Sequence, residues 1–146
     1  FRTYKHWAKV IASLVEAVPS CQITLLGSAN GRSEADLLES RFRGTGQLRN
    51  GVASLSLNET CSELRQSDLY VGADGGLWHM ASGCGIPTVA LFADCALFDD
   101  SGQRVSRASP DQNCVSITTE SNVSKIDPTA IVGSVRRMLG VRDSLD

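Results

Sequence analysis

The 146-residue sequence lacks the features that mark several specialised classes of protein. None of its apolar runs approaches the ~20 residues that a membrane-spanning helix needs. Its 14 basic and 16 acidic residues give a net charge of −2, so it has no basic excess of the kind that nucleic-acid binding requires. Hydrophobic residues at 42% and charged residues at 21% are ordinary for a folded protein, which excludes disorder. We therefore expect one soluble globular domain with its own core.

The sequence also lacks a secretory signal and a C-x-x-C pair. An odd number of cysteines, spread singly along the chain, favours reduced thiols and a cytoplasmic location. These five residues are Cys21, Cys61, Cys84, Cys95 and Cys114. The spacing of the last three resembles no standard zinc pattern, so we predict no metal site. The chain begins with Phe1 rather than Met, and we expect it to be a fragment whose upstream domain is missing.

The stretch from residue 68 to residue 93, DLYVGADGGLWHMASGCGIPTVALFA, has the pattern strand, glycine turn, helix, strand. Residues 69–71 form a short apolar run that ends at Gly72, which is typical of a buried parallel strand. After the glycine turn, apolar residues recur at i, i+3, i+4 and i+7, which predicts a helix with one buried stripe. These residues are Leu77, Met80, Ala81 and Cys84. Gly85 and Pro87 end the helix, and residues 88–92 predict a second buried strand.

This pattern favours a phosphate site at the glycine turn. A helix that begins directly after a strand presents unpaired N–H groups and the positive end of its dipole, and glycines let an anion approach the backbone closely. His79 lies opposite the apolar stripe with Gly76 and Gly83, and its side chain leans toward the turn. Asp74 either accepts hydrogen bonds from ligand hydroxyls or backbone N–H groups, or caps the helix. Trp78 either stacks on a base or packs beneath the loop that follows residue 93.

The rest of the chain repeats the alternation of helix and strand. Helices are predicted from Trp7 to Pro19, from a Ser33 cap onward, from a Ser56–Glu59 capping box to about Ser67, and after an Asp127 cap followed by Pro128. Strands are predicted at residues 23–26, 47–49 and 115–117, and a surface loop at residues 94–113.

This order predicts a doubly wound, Rossmann-like α/β domain with a parallel sheet covered by helices on both faces. The loops at residues 27–32 and 73–76 and the loop that begins at Ala93 should meet at one crevice beyond the carboxyl ends of the strands. The GSANG turn is not G-x-G-x-x-G, so NAD binding is disfavoured.

The central stretch resembles the signature of a known family. DGGLWHMASGCGIPTVALF is similar to the D-[ST]-G-x-x-H-x-A-x-x-x-G-x-P-x-V-x-L-[FY]-G pattern of the ADP-heptose:lipopolysaccharide heptosyltransferases, glycosyltransferase family 9. SLNETCSELRQSDLYVGADGG and QITLLGS resemble two further runs of that family, so the likeness covers most of the chain. Gly75 departs from the usual Ser or Thr, which removes a hydroxyl contact. Ala93 and the two residues after it depart from the usual G-P-T.

The resemblance implies the carboxyl-terminal, donor-binding half of a two-domain GT-B glycosyltransferase. Its donor would be a nucleoside diphosphate sugar such as ADP-heptose, and its acceptor a lipopolysaccharide or another glycan. The general base is expected on the missing amino-terminal domain, so no catalytic residue is assigned to this chain, and no cofactor is implied. The full enzyme would act in the bacterial cytoplasm, with peripheral contact at the inner face of the inner membrane, and nucleic acid is not an expected partner.

By resemblance, substrate binding falls to seven residues: Lys5, Glu34, Asp74, Gly75, Gly76, Leu77 and His79. Lys5 comes from a K-H-W triplet similar to the family's K-x-W segment, although another alignment would use Arg2. Glu34 resembles an acidic residue that recognises the nucleoside. Two alternatives stay open, namely another GT-B enzyme, such as a UDP-sugar transferase or a hexosamine 2-epimerase, and a non-enzymatic module that binds nucleotide sugars.

Overall fold

The computed structural model of the chain describes residues 3–93, 97–98, 104–105 and 113–141. Its five α-helices are α1 (Trp7–Ala17), α2 (Arg32–Phe42), α3 (Leu57–Arg65), α4 (Gly76–Gly83) and α5 (Pro128–Met138). Its seven strands are β1 (Ile23–Leu25), β2 (Leu48–Asn50), β3 (Tyr70–Ala73), β4 (Thr88–Ala93), β5 (Leu97–Phe98), β6 (Arg104–Val105) and β7 (Cys114–Thr119). Short 3₁₀ turns lie at Ala29–Gly31, Arg43–Thr45 and Val123–Lys125.

The main strands pair in parallel. β4 lies between β3 and β7, with Val89 opposite Val71 on one side and Val115 on the other. β1 pairs with β2, and Ile23 faces Leu48. No hydrogen-bonded ladder joins β1 to β3 among the described residues, so the two parallel groups flank a cleft.

Helices cover both faces of these strands. On one face, α1 and α5 pack against Val89 and Leu91 of β4, and α1 and α2 enclose Ile23 and Leu25 of β1. On the other face, α3 and α4 pack together through Leu64 and Ala81. Residues 88–92 of β4 are buried on both sides, as expected for the centre of a parallel sheet. The predicted doubly wound, Rossmann-like α/β class is confirmed.

Local capping signals account for two of the helix starts. At α3 the Glu59 N–H donates to Ser56 Oγ at 3.3 Å, and the Ser56 N–H donates to Glu59 Oε2 at 2.7 Å, which completes the predicted capping box. At α5 the Asp127 carboxylate accepts from the Thr129 N–H at 2.8 Å, and Pro128 occupies the first turn, as predicted.

The predicted Ser33 cap of α2 is wrong. The helix begins at Arg32, and its N-cap is Gly31, which makes no side-chain capping bond. The reason is the 3₁₀ turn at Ala29–Gly31, which leads straight into the helix and leaves Ser33 inside the first turn.

The interpretation of residues 94–113 as a plain loop is also incomplete, because β5 and β6 pair there as an antiparallel hairpin. Apart from Asn113, the remainder of that segment lies outside the described residues, as do Arg2 and Cys95. The other four cysteines are free thiols. No helix in the described part of the chain is both long and apolar enough to span a membrane.

Candidate functional site

The junction between β3 and α4 is anchored by backbone hydrogen bonds. The Asp74 N–H donates to the Leu91 carbonyl at 3.0 Å, which fixes the end of β3 against β4. Gly75 is the N-cap, and its carbonyl accepts from the His79 N–H at 3.2 Å. The N-cap position belongs to Gly75, so the alternative role of Asp74 as the N-cap is wrong. Asp74 instead lies one residue before the cap, at the carboxyl end of β3.

The glycine pair at this junction is open to approach. A Cβ atom placed on Gly76 would meet no atom within 4 Å, and one on Gly75 would meet only the Ala73 carbonyl oxygen at 3.9 Å. Within residues 3–93 and 113–141, no side chain accepts a hydrogen bond from the N–H groups of these glycines. The first turn of α4 therefore presents unpaired donors and the positive end of the helix dipole to a prospective anion.

The exposed face of α4 carries His79. Gly76, His79 and Gly83 are all exposed, as the helical periodicity predicts. On the opposite side, Met80, Ala81 and Cys84 pack against Leu64 and Ile86.

Trp78 is buried on a third side of the helix, at 9% exposure, and its ring meets Phe92 of β4 edge to face with 5.2 Å between centroids. Trp78 therefore packs against β4, whereas most of the loop after residue 93, beneath which it was predicted to pack, lies outside the described residues. The sequence pattern underestimates the buried part of α4 because the helix contacts both α3 and β4.

A cavity of about 1430 Å³ runs between β1 and β3. At the carboxyl edge of the strands it is lined by four of the residues that the family resemblance selects: Glu34, Gly75, Gly76 and Leu77. Gly27 and Ser28, which follow β1, line the same end. Two of the predicted loops, at residues 27–32 and 73–76, therefore meet at one crevice. Asp74, His79 and Lys5 do not line this cavity, and the side chains of His79 and Lys5 are exposed.

The main chain of Lys5 is held by a hydrogen bond to a distant turn. Thr3 and Tyr4 line the same cavity as the glycine pair. The Lys5 N–H donates to Ser124 Oγ at 3.1 Å, and its side chain is exposed. No sequence pattern points to Ser124. Asn122 two residues earlier indicates a local turn, but the contact with Lys5 spans 119 positions and leaves no periodic signal.

Lys5 and His79 carry no competing carboxylate among the described residues. The ion pairs among the described residues are Arg49–Glu63 and Arg32–Asp36, so neither Lys5 nor His79 belongs to one. Tyr70 lies below the site with its ring against Gly72, and burial raises the pKa of its hydroxyl well above the usual range. Its hydroxyl therefore stays neutral at ordinary pH.

Parallel strands, helices on both faces and an open glycine turn at the carboxyl edge define a Rossmann-like α/β domain of the kind found in GT-B glycosyltransferases. The family model described as "Glycosyltransferase family 9 (heptosyltransferase)" matches residues 3–128. The chain belongs to that family. No curated protein matches it.

Two solved structures have the same fold. The structure of Escherichia coli ADP-heptose lps heptosyltransferase II superposes with a TM-score of 0.70 at 20% identity, over 92% of this chain and 40% of that one. The glycosyl transferase family 9 structure from Veillonella parvula DSM 2008 gives a TM-score of 0.66 at 12% identity, over 92% of this chain and 42% of that one. The chain thus spans about two fifths of the length of the solved proteins that it matches.

Proposed function

We propose that residues 1–146 form the donor-binding domain of a glycosyltransferase that transfers a heptose or a related sugar from a nucleoside diphosphate to a lipopolysaccharide or another glycan. Membership of glycosyltransferase family 9 supports the reaction class. The observation that carries the proposal is the open glycine pair, Gly75 and Gly76, at the start of α4 with His79 exposed on the same helix. ADP-heptose is the donor favoured by the resemblance of the central motif.

In this proposal the domain stabilises the leaving group. Displacement at the anomeric carbon of the sugar leaves negative charge on the diphosphate. The N–H groups of Gly75 and Gly76 and the α4 dipole would meet that charge without reorganisation, which is the most effective form of electrostatic stabilisation. Lys5 and His79 would add donors from the two sides of the turn.

The remaining predicted residues would orient the donor. Asp74, at the end of β3, would accept hydrogen bonds from the sugar hydroxyls. Glu34, in the first turn of α2, would accept from the ribose, and it lines the same cavity as the glycine pair. Leu77 contributes an apolar wall to that cavity.

The acceptor would bind a second domain that lies outside residues 1–146, and that domain would supply the general base. Both solved relatives are more than twice as long as this chain, which is consistent with such a partner domain. Contact of the complete enzyme with the inner face of a bacterial inner membrane would bring it to a lipid-linked acceptor.

Calorimetric titration with ADP tests the site, and the chain offers a matched pair of variants. Gly76 and Gly83 both lie in α4, and a Cβ on either would meet nothing within 4 Å. Both changes to Ala should leave the fold intact, because alanine favours a helix over glycine by roughly 0.5–1 kcal/mol. Only Gly76→Ala should weaken ADP binding, by roughly 3- to 10-fold, because its methyl group would keep the diphosphate from approaching the amides closely and so weaken about one hydrogen bond. Equal affinities in the two variants contradict the proposed cradle.

Titrating ADP, GDP and UDP against the same chain separates the alternatives. Preference for ADP supports the heptosyltransferase assignment. Preference for UDP supports another GT-B enzyme, such as a UDP-sugar transferase or an epimerase. Gly75, which replaces the family's usual hydroxyl residue, favours a third alternative, a binding module without catalysis. Failure of every nucleotide sugar to saturate the protein, with its second domain also present, would overturn the proposal and would leave only a module that has kept the fold and lost the chemistry.

A further inference from the structure

Residues 3–5, which we call the lysine segment, are fastened to a part of the chain about 120 positions away. The Tyr4 hydroxyl donates to the Ile126 carbonyl at 3.0 Å, and the Tyr4 ring is 1% exposed in the core. Burial, and secondarily the charge of Asp127, raise the pKa of Tyr4, so the hydroxyl stays protonated and keeps donating at ordinary pH. The middle residue of the segment is thus an internal anchor.

Ser124 holds the residues on either side of that anchor. Its Oγ accepts from the Lys5 N–H at 3.1 Å and donates to the Thr3 carbonyl at 2.7 Å. One hydroxyl group therefore bonds the Lys5 N–H and the Thr3 carbonyl at once. These two bonds fix the position of the lysine segment relative to Ser124. Ser124 is itself fixed, because its N–H donates to Asn122 Oδ1 at 2.9 Å in the 3₁₀ turn Val123–Lys125.

This fastening determines where the Lys5 side chain begins. Lys5 follows a buried residue and is exposed, and it makes no ion pair among the described residues. The segment lies at the carboxyl edge of the sheet, since the 3₁₀ turn Val123–Lys125 to which it is bonded follows the carboxyl end of β7 and contacts both β7 and β4. Thr3 and Tyr4 also line the cavity that Gly75 and Gly76 line.

We propose that Ser124 is a positioning residue, which sets the backbone of Lys5 so that its ammonium group reaches the diphosphate bound at the glycine pair. This inference rests on the proposed function, because it needs a diphosphate at Gly75 and Gly76. Ser124 touches no substrate in this arrangement. It reduces the conformational entropy that Lys5 must lose on binding, because the main chain of the lysine is already fixed.

A double-mutant cycle on the 146-residue chain tests the inference, with the affinity for ADP measured by calorimetry. Ser124→Ala removes both hydrogen bonds to the segment and should weaken ADP binding by roughly 3- to 10-fold. Lys5→Ala should weaken it at least as much. In the Lys5→Ala background, Ser124→Ala should have no further effect, because the two residues act on one contact. A purely structural Ser124 would cost the same affinity in both backgrounds, which would overturn the inference.

Three further variants sharpen the result. Ser124→Thr keeps the hydroxyl and should recover most of the affinity. Ser124→Cys is similar in shape but forms only weak hydrogen bonds, so it should not recover the affinity. If Ser124→Ala fails to fold, Ser124→Cys takes its place in the double-mutant cycle. Ser62→Ala is the matched control, since Ser62 Oγ donates only to the Asn58 carbonyl within α3, and it should leave the affinity unchanged.

The two proposals fail in different ways. Absence of ADP binding by the unaltered chain removes the proposed function, and the inference with it. Normal ADP binding that Gly76→Ala weakens but neither Lys5→Ala nor Ser124→Ala affects removes only the inference. Loss of affinity on Arg2→Ala but not on Lys5→Ala assigns the cationic role to Arg2 and also overturns the inference.

Discussion

The imidazole of His79 lies against the indole of Trp78, with 4.6 Å between ring centroids and 56° between ring planes. Trp78 is buried against Phe92, whereas His79 is exposed. A fixed aromatic face therefore limits the rotation of a solvent-facing imidazole on one side. Such a restriction favours a defined orientation of the His79 donors on the face of α4 that also carries Gly76.

Replacing His79 with Ala should weaken ADP binding by roughly 10-fold, the lower end of the range for a hydrogen bond to a charged group, as expected in a partly solvated site. The melting temperature should change little, because the side chain is exposed. Calorimetry and a thermal melt measure the two quantities on the same sample. His79→Gln keeps an N–H donor, so its affinity for ADP should lie between those of the unaltered chain and His79→Ala. An affinity equal to that of the unaltered chain in both variants would count against any role for His79.

Gly75→Ser should improve both binding and stability. Gly75 has extended backbone angles, φ 172° and ψ −175°, which any residue adopts, and its Cβ position is open apart from the Ala73 carbonyl. Serine is preferred over glycine at an N-cap by a few tenths of a kcal/mol, and its hydroxyl adds a donor beside the amides. We expect ADP affinity to rise roughly 3-fold, the lower range for one hydrogen bond. Gly75→Ala, without a hydroxyl, is the control and should show no such rise.

Gly72→Ala should destabilise the domain through Tyr70. A Cβ at Gly72 would overlap the Tyr70 hydroxyl and lie 2.6 Å from its Cζ, so the ring must move within a packed layer. Overpacking of this kind costs roughly 1–3 kcal/mol, measurable by urea unfolding. The cost should shrink in a Tyr70→Leu background, which removes the ring. An equal cost in both backgrounds would place the origin of the strain elsewhere.

The α3 capping box should make stability depend on acid. Hydrogen bonds from the Ser56 backbone, and then from its hydroxyl, lower the pKa of Glu59 below its ordinary value of 4.5. A depressed folded-state pKa contributes stability that is fully present above the unfolded-state value and is lost as the pH falls through the folded-state value. The difference in unfolding midpoint between the unaltered chain and Glu59→Gln should therefore be larger at pH 6 than near pH 3. A constant difference across this range contradicts the linkage.

Residues 1–146 alone should transfer no sugar. The proposed general base lies on a second domain, and the donor-binding residues named above only bind and orient the nucleotide sugar. Release of ADP from ADP-heptose in the presence of a lipopolysaccharide acceptor measures the reaction. Turnover by this chain without a second domain would show that the base lies within these residues.

The sequence predicts the part of the fold that depends on local chemistry. Glycines mark the ends of the elements in the β3–α4–β4 unit. Gly85 (φ 74°) and Gly140 (φ 68°) follow the ends of α4 and α5, as the patterns indicate. The Ser56–Glu59 capping box is also predictable from the sequence, because all its atoms lie within one turn of helix. The exposed glycine turn and His79 follow from helical periodicity alone.

Features that depend on distant contacts are not visible in the sequence. The burial of Trp78 requires β4 beside α4, and the role of Ser124 requires a partner 119 positions away. The missing Ser33 cap reflects a 3₁₀ turn whose hydrogen bonds compete with the expected helix start. The cleft between β1 and β3 depends on how the two parallel groups pack, which no single strand encodes.

The bond between Tyr4 and Ile126 also sets the order of events during synthesis on a ribosome. Tyr4 emerges first, but its partner is 122 residues later, and at roughly 5–20 residues per second the interval is about 6–24 s. The lysine segment therefore stays unanchored while the parallel strands are still being made. We expect residues 3–5 to be sensitive to proteases in a nascent chain that is stalled before Ile126. In a chain that extends beyond the 3₁₀ turn and has left the ribosome, the same residues should be protected.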